Sequence, residues 1–194
     1  MGHKQPASDG FFESVEKRSR FITYCEKVCH PEEFKQFLER LRKQYPDARH
    51  ICYGFRIGSL ANAQRGFSDD GEPSGTAGMP ILNVIDHSGF SDIAIIVVRY
   101  FGGTKLGTGG LARAYSEGAS SLIKSIKWVN YEAKQAIKLH CHFQKEHQLR
   151  YLIKQLAGRV ETVEYSQHVE LSISIAEDTD LSTLGLYRVN LGDD

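Results

Sequence analysis

The sequence lacks net charge, a long apolar run and any signal-peptide core. Its 194 residues carry 24 basic and 24 acidic side chains, so the formal net charge is zero. No overall field therefore draws the chain to nucleic acid or to a membrane, and such binding needs a local patch. No apolar stretch approaches the roughly 20 residues of a membrane span, and the amino terminus is polar. We expect a soluble, cytoplasmic protein with no membrane partner.

Cysteine is scarce and poorly spaced for a metal site. The four cysteines are Cys25, Cys29, Cys52 and Cys141. They fit no zinc pattern. His140 and His142 flank Cys141, but on a strand both histidines point to one face and the thiol to the other. Buried or half-buried thiols in a reducing cytosol are the simpler interpretation, and we expect no metal and no cofactor.

The most distinctive stretch is residues 93–110, IAIIVVRYFGGTKLGTGG. Six apolar residues from Ile93 to Val98 predict a strand buried on both faces. Five glycines then fall between Gly102 and Gly110, and we call residues 101–110 the glycine-rich turn. Apolar residues recur at helical spacing after it, which predicts a long amphipathic helix.

This order of strand, turn and helix places backbone N–H groups and a helix N-terminus together, an arrangement that holds anions. Lys105 lies inside the turn, and two arginines flank it. The candidate binding residues are Arg99, Gly102, Gly103, Lys105, Gly107, Thr108, Gly109, Gly110 and Arg113. The spacing matches neither the P-loop nor the dinucleotide-binding fingerprint. A turn whose glycines serve only packing therefore stays open as an alternative.

A second unusual stretch, residues 68–78 (SDDGEPSGTAG), is too rich in glycine, proline and acid for regular structure. Asp69, Asp70 and Glu72 form a possible secondary site, because three carboxylates in four residues suit Mg²⁺. The favoured alternative is a turn in which aspartate side chains bond the local backbone. Thr76 belongs to the same candidate set and is a possible cap of the helix that follows.

Hydrophobic periodicity predicts an α+β chain whose pattern changes near residue 130, with residues 1–10 disordered. Within residues 11–130 the further predicted elements are a strand in 19–29, a helix over 31–45, a strand over 51–57, a loop over 58–66 and a helix over 79–85. Within residues 131–194 they are a strand over 137–143, a helix over 149–156, strands over 160–165 and 169–175, a helix over 178–184 and a strand over 186–191.

The chain resembles the YigZ/IMPACT family, bacterial two-domain branch. The residues that carry the resemblance are PDARH at 46–50, SDDGEPSGTAG at 68–78 and GFSDIAIIVVRYFGGTKLGTGGLARAYSEGA at 89–119. The resemblance implies a first domain over 11–130 like the second domain of ribosomal protein S-five, a fold also found in domain IV of elongation factor G. It implies a ferredoxin-like second domain over 131–194. The last predicted helix is shorter than the family's, so the completeness of that βαββ domain stays open.

Eukaryotic members of that family regulate translation by competing for an activator of a starvation-sensing kinase. The hypothesis is therefore a non-enzymatic regulator of translation that contacts RNA, the ribosome or a translation-control protein through the glycine-rich turn. The alternative is an enzyme for a phosphorylated or nucleotide ligand at the same turn, with the acids of residues 69–72 as metal ligands or base. Acids converging on the turn in a closed pocket would favour the enzyme, and an open basic surface would favour binding. The sequence leaves the oligomeric state undetermined.

Overall fold

The computed structural model describes residues 3–58, 62–131, 134–177 and 179–187. The chain divides into two compact units, an N-terminal domain, Gly2–Tyr131, and a C-terminal domain, Glu132–Asp194. The predicted α+β class, with a larger first and a smaller second domain, is confirmed. Within the described residues, no helix combines the length and the apolar composition needed to cross a membrane.

The N-terminal domain contains seven strands and three helices among its described residues. The strands are β1 (His3–Pro6), β2 (Gly10–Glu16), β3 (Ser19–Lys27), β4 (His50–Ile57), β5 (Gln64–Ser68), β6 (Ile93–Tyr100) and β7 (Trp128–Tyr131). The helices are α1 (Pro31–Gln44), α2 (Gly78–Ser88) and α3 (Thr108–Ser125). Five of the strands form an antiparallel sheet in the order β2-β3-β6-β4-β5.

Strand β6 lies at the centre of this sheet and is buried on both faces, as its apolar run predicts. Ile95 and Val97 belong to the core beneath α2 and α3. Ile96 and Val98 belong to the core beneath α1 on the opposite face. The direction of β6 therefore fixes where the glycine-rich turn emerges, at its carboxyl end.

The prediction that residues 1–10 are disordered is wrong for the described residues 3–10. Strand β1 pairs antiparallel with β7, and Gly10 already belongs to β2. The side chains of His3 and Gln5 are buried against the carboxylate of Asp92, which also accepts a hydrogen bond from Gly58 N at 2.7 Å. The strand could not be predicted from its polar composition. Its side chains and backbone are satisfied by a buried acid and by backbone groups that are distant in sequence.

Two further elements differ from the sequence-based expectation. The loop predicted over 58–66 is wrong for residues 64–66, which lie in β5 and pair with β4 at the edge of the sheet. Helix α2 begins one residue before the predicted span and continues to Ser88. Edge strands carry little hydrophobic alternation when both faces are partly exposed, as in β5.

The C-terminal domain is a βαββ unit with a three-stranded antiparallel sheet ordered β8-β10-β9. Its elements are β8 (Lys134–Cys141), α4 (Glu146–Gln155), β9 (Arg159–Tyr165) and β10 (Val169–Ala176). One face of the sheet packs against α4, whose Leu149 and Ile153 are buried in the core of this domain.

The end of the C-terminal domain also differs from the prediction. A 3₁₀ helix, Ser182–Tyr187, replaces the helix expected over 178–184, because the Asp180 carboxylate accepts the Ser182 N–H at 2.9 Å and starts the turn there. Leu186 and Tyr187 therefore do not begin the expected last strand. The rest of that strand, residues 188–191, lies outside the described residues.

Candidate functional site

The glycine-rich turn connects β6 to α3, and its last three residues, 108–110, form the first turn of that helix. Gly107 precedes the helix with φ of 75°, and its carbonyl accepts the Leu111 N–H at 2.9 Å. No side chain among the described residues caps this helix. Because the first N–H groups of a helix lack intrahelical acceptors and carry partial positive charge, this end offers donors to an anion.

The glycines of the turn serve two different purposes. Gly102 is needed for packing, since a Cβ there would lie 2.0 Å from the carbonyl carbon of Arg18. Its N–H also donates to Ser19 Oγ at 3.2 Å, which fixes the turn to the hairpin between β2 and β3. Gly103 adopts φ of 86°, a region that favours glycine. Gly109 is exposed, and a Cβ on it would meet no atom within 4 Å.

The predicted basic residues Lys105 and Arg113 are both exposed. Beside them lies a cavity of about 400 Å³ lined by Glu16, Lys17, Leu106, Gly110, Arg113, Ala114 and Glu117. Within the parts of the chain that are described, neither Lys105 nor Arg113 forms an ion pair. The N-terminus of α3 thus lies at a surface that carries the cations Lys17, Lys105 and Arg113 together with the acids Glu16 and Glu117.

Lys17 belongs to this surface, although no pattern in the sequence indicates it. The pairing of Glu16 with Ser19 makes Lys17 and Arg18 a two-residue hairpin turn, with φ of 46° and 68°. Turns with positive φ at both central residues strongly prefer Asn-Gly or Asp-Gly. Sequence rules do not predict such a turn at two basic residues. The turn places Lys17 beside the N-terminus of α3.

The structure corrects the role predicted for Arg99. Its side chain is buried, and Nη1 donates to Glu72 Oε1 at 2.6 Å. Its guanidinium also lies against the rings of Phe21 and Phe101. The charge of Arg99 is therefore neutralised by Glu72 inside the domain, and Arg99 is not an exposed ligand for an anion.

Asp69 caps the helix that follows the acidic residues. Its carboxylate accepts N–H groups from Gly75 at 2.8 Å, Ala77 at 3.0 Å and Gly78 at 2.8 Å. Thr76, the expected cap, instead donates its hydroxyl to Pro73 O at 2.6 Å. The Asp70 carboxylate likewise bonds to backbone, accepting Ile51 N–H at 2.8 Å. The interpretation of this stretch as a turn bonded to its own backbone is confirmed for Asp69, whereas the Asp70 carboxylate bonds to the distant backbone of β4.

The buried carboxylate of Glu72 contacts Arg99, a residue of the strand that leads to the glycine-rich turn. Besides Arg99, its Oε1 accepts the Tyr115 hydroxyl at 2.7 Å. Burial raises the pKa of Tyr115, and burial raises the pKa of the neighbouring Cys52 thiol to about 12. Both groups are therefore neutral near pH 7. Among the residues described, no group of three or more histidine, cysteine, aspartate or glutamate side chains is arranged to hold a metal ion.

Known families match both domains in the order in which they occur. The Impact N-terminal domain matches residues 17–123, and a domain of unknown function, DUF1949, matches residues 139–179. The fold and these matches define a two-domain protein with an Impact N-terminal domain. The chain belongs to the IMPACT family, as its motifs predicted.

Its relatives are similar over most of their length. The chain is 38% identical over 179 residues to an IMPACT family member of Haemophilus influenzae, covering 90% of this chain and 85% of the relative. It is 37% identical over 160 residues to the IMPACT family member YigZ of Escherichia coli, covering 82% and 78%. A crystal structure of a hypothetical protein matches with a TM-score of 0.69 at 35% identity, covering 90% of this chain and 85% of that one.

Proposed function

We propose that the chain is a non-enzymatic binding protein whose glycine-rich turn contacts RNA phosphate. The observation that carries the proposal is the uncapped N-terminus of α3, where Gly109 faces open space beside Lys105 and Arg113. A helix N-terminus with nearby cations is a ready site for phosphate. Lys17 adds a third basic side chain to the same surface.

We propose the translation machinery as the source of that RNA. By its motifs at residues 68–78 and 89–119, the chain resembles a family whose eukaryotic members regulate translation. An RNA-rich partner such as the ribosome fits a small set of cations on a chain with zero formal net charge, because contact then depends on position rather than on overall attraction.

An enzyme acting at the same turn has less support. The Asp69 carboxylate is engaged by three backbone N–H groups, and Glu72 is engaged by Arg99 and Tyr115. These acids stabilise the fold, whereas a metal ligand or general base needs free lone pairs directed toward the substrate.

The test is a titration of labelled structured RNA at several salt concentrations. With a few phosphates contacted, log K should fall against log salt with a slope of about −2 to −3. Lys105→Ala should reduce that slope by about one unit and weaken binding to all RNA sequences by a similar factor. Lys154→Ala, which removes an exposed lysine of α4 in the other domain, is the matched control and should bind as the wild type does.

A second variant tests the backbone contribution without changing charge. Gly109→Val places a branched side chain in the open space at the first helical turn, so it should block the approach of phosphate to the N–H groups. We expect weaker binding with an unchanged salt slope and an unchanged unfolding midpoint. If wild type fails to bind RNA at low salt, or if Lys105→Ala binds as wild type does, the turn is not an RNA site and a protein partner takes its place.

A further inference from the structure

A second cavity opens where β6 runs into the glycine-rich turn. It measures about 330 Å³ and is lined by Asp47, Arg49, Arg99, Tyr100 and Phe101. Its two sides are adjacent because His50 and Arg99 are register partners in the sheet, which places Arg49 and Tyr100 just beyond the paired residues. This volume is at the small end of ligand cavities, about 300–1,000 Å³, and suits one nucleotide rather than a longer ligand.

The wall of this cavity includes a supported aromatic ring. Phe101 is 49% exposed, although it is a large apolar side chain. The Arg99 guanidinium lies 5.7 Å from the centre of its ring, and that guanidinium is itself held by Glu72. A ring held from one side by a fixed planar cation is a platform on which another flat, aromatic group can stack.

Two opposite charges line the same cavity without neutralising each other. Asp47 and Arg49 are both exposed, and neither forms an ion pair with any residue that the structure describes. Asp47 Oδ1 accepts the Tyr100 hydroxyl at 2.8 Å. A carboxylate has about four lone-pair sites, so Asp47 retains acceptors for a ligand. A fitting ligand therefore combines a flat ring, a pair of donors and an anionic group.

Guanine nucleotides combine these three features. Guanine presents two adjacent donors, N1–H and the N2 amine, to a carboxylate, whereas adenine presents one donor beside the acceptor N1. A phosphate pairs well with the planar fork of an arginine. Unpaired RNA is the form in which this edge and the ring face are both free.

We propose that this cavity binds one unpaired guanine nucleotide of RNA, with the base stacked on Phe101, its two donors on Asp47 and its phosphate on Arg49. This inference rests on the proposed function, because it takes the nucleotide to be part of the RNA held at the glycine-rich turn.

The experiment adds GMP, IMP or AMP to the isotope-labelled full chain and follows backbone amide shifts by NMR. IMP tests the N2 amine, which it lacks. We expect shifts at residues 47–49 and 100–101, with GMP bound about tenfold more tightly than AMP, the lower range for a bidentate base contact, and IMP between them. Absence of shifts at these residues, or equal affinity for GMP and AMP, would overturn the proposal.

Three variants separate the contacts. Asp47→Asn should abolish the preference for GMP over AMP. Phe101→Leu should lower the affinity for all three nucleotides about tenfold. Arg49→Gln should weaken GMP but leave the affinity for guanosine, which has no phosphate, unchanged. Arg159→Gln, an exposed arginine of β9, is the control. An unchanged GMP affinity in Phe101→Leu would contradict the stacking platform.

This outcome is separable from that of the proposed function. RNA binding that depends on Lys105 but shows no guanine preference would refute the cavity assignment and retain the phosphate site. GMP binding with this pattern, in a chain that binds no RNA, would refute RNA as the source of the nucleotide.

Discussion

Glu72 and Arg99 form a buried ion pair, with Oε1 and Nη1 2.6 Å apart and side chains 3% and 6% exposed. The pair joins the acidic stretch before α2 to the end of the central strand. Because Arg99 also contacts the ring of Phe101, one buried carboxylate influences the wall of the cavity that Asp47, Arg49 and Phe101 line. Glu72 thus affects the candidate site indirectly, by holding Arg99 in place.

Removing the carboxylate should be costly. Glu72→Ala leaves the Arg99 charge buried without its partner, and we expect the free energy of unfolding to fall by about 3–5 kcal/mol. Glu13→Ala is the control, since it breaks an ion pair with Arg20 whose side chains are 34% and 50% exposed, and solvent screening should make its cost far smaller than that of Glu72→Ala. Urea unfolding measures both values. Equal losses in the two variants would mean that Arg99 finds another partner.

The two turn residues of the hairpin between β2 and β3 should lower the stability of the domain and strengthen its binding to RNA. Replacing its turn by Lys17→Asn with Arg18→Gly relieves positive φ at both residues, and we expect a gain of about 1 kcal/mol in stability. RNA affinity should fall at the same time, because two cations are lost. Ala157→Gly relieves a comparable φ of 54° in the C-terminal domain and should stabilise without changing RNA affinity. A double variant that binds RNA as wild type does would exclude the hairpin from the interface.

The amino-terminal strand should contribute to the stability of its domain. Deleting residues 1–6 removes His3 and Gln5 from the buried Asp92 carboxylate. We expect a loss of about 3 kcal/mol in the free energy of unfolding. Adding Asp92→Asn to the deletion should recover part of that loss, because the uncompensated charge disappears. Unchanged stability after the deletion would contradict the anchoring of β1.

Acid should weaken the C-terminal domain through Glu170. A hydrogen bond from Lys138 and then one from His140 hold the pKa of Glu170 below its ordinary value of 4.5. A lowered folded-state pKa gives a stabilisation that is complete above pH 4.5 and is lost as the pH falls through the lowered value. Glu170→Gln should therefore flatten the pH dependence of stability below that point, measured by hydrogen exchange of β8 and β10 in the full chain. Glu161→Gln, an exposed acid of β9, should leave the dependence as in wild type.

The sequence predicted elements whose cause is local. Strand β6 is an uninterrupted apolar run, and α3 follows from helical spacing, so both could be derived from the residues themselves. The cap of α2 could not, because Asp69 folds back across eight residues to Ala77, whereas capping rules examine the nearest polar side chain, Thr76. Strand β1 was missed for a related reason, since its partner β7 lies more than a hundred residues away.

The candidate site shows the same division. The glycines and Lys105 could be proposed from the sequence because their spacing along the chain indicates a turn directly. Arg99 was misassigned because an arginine beside a glycine-rich segment looks the same whether it faces solvent or a buried glutamate. Lys17 was missed because only the pairing of β2 with β3 brings it to the N-terminus of α3.

The contact between Gly102 and the hairpin also bears on how fast and how tightly a ligand is captured. With its backbone packed against the carbonyl of Arg18 and its N–H on Ser19, Gly102 fixes the start of the turn to the hairpin. The loss of chain entropy that accompanies loop ordering has then already occurred during folding. For the phosphate that we propose at this turn, the association rate should therefore be governed by diffusion and ionic strength more than by rearrangement of the loop.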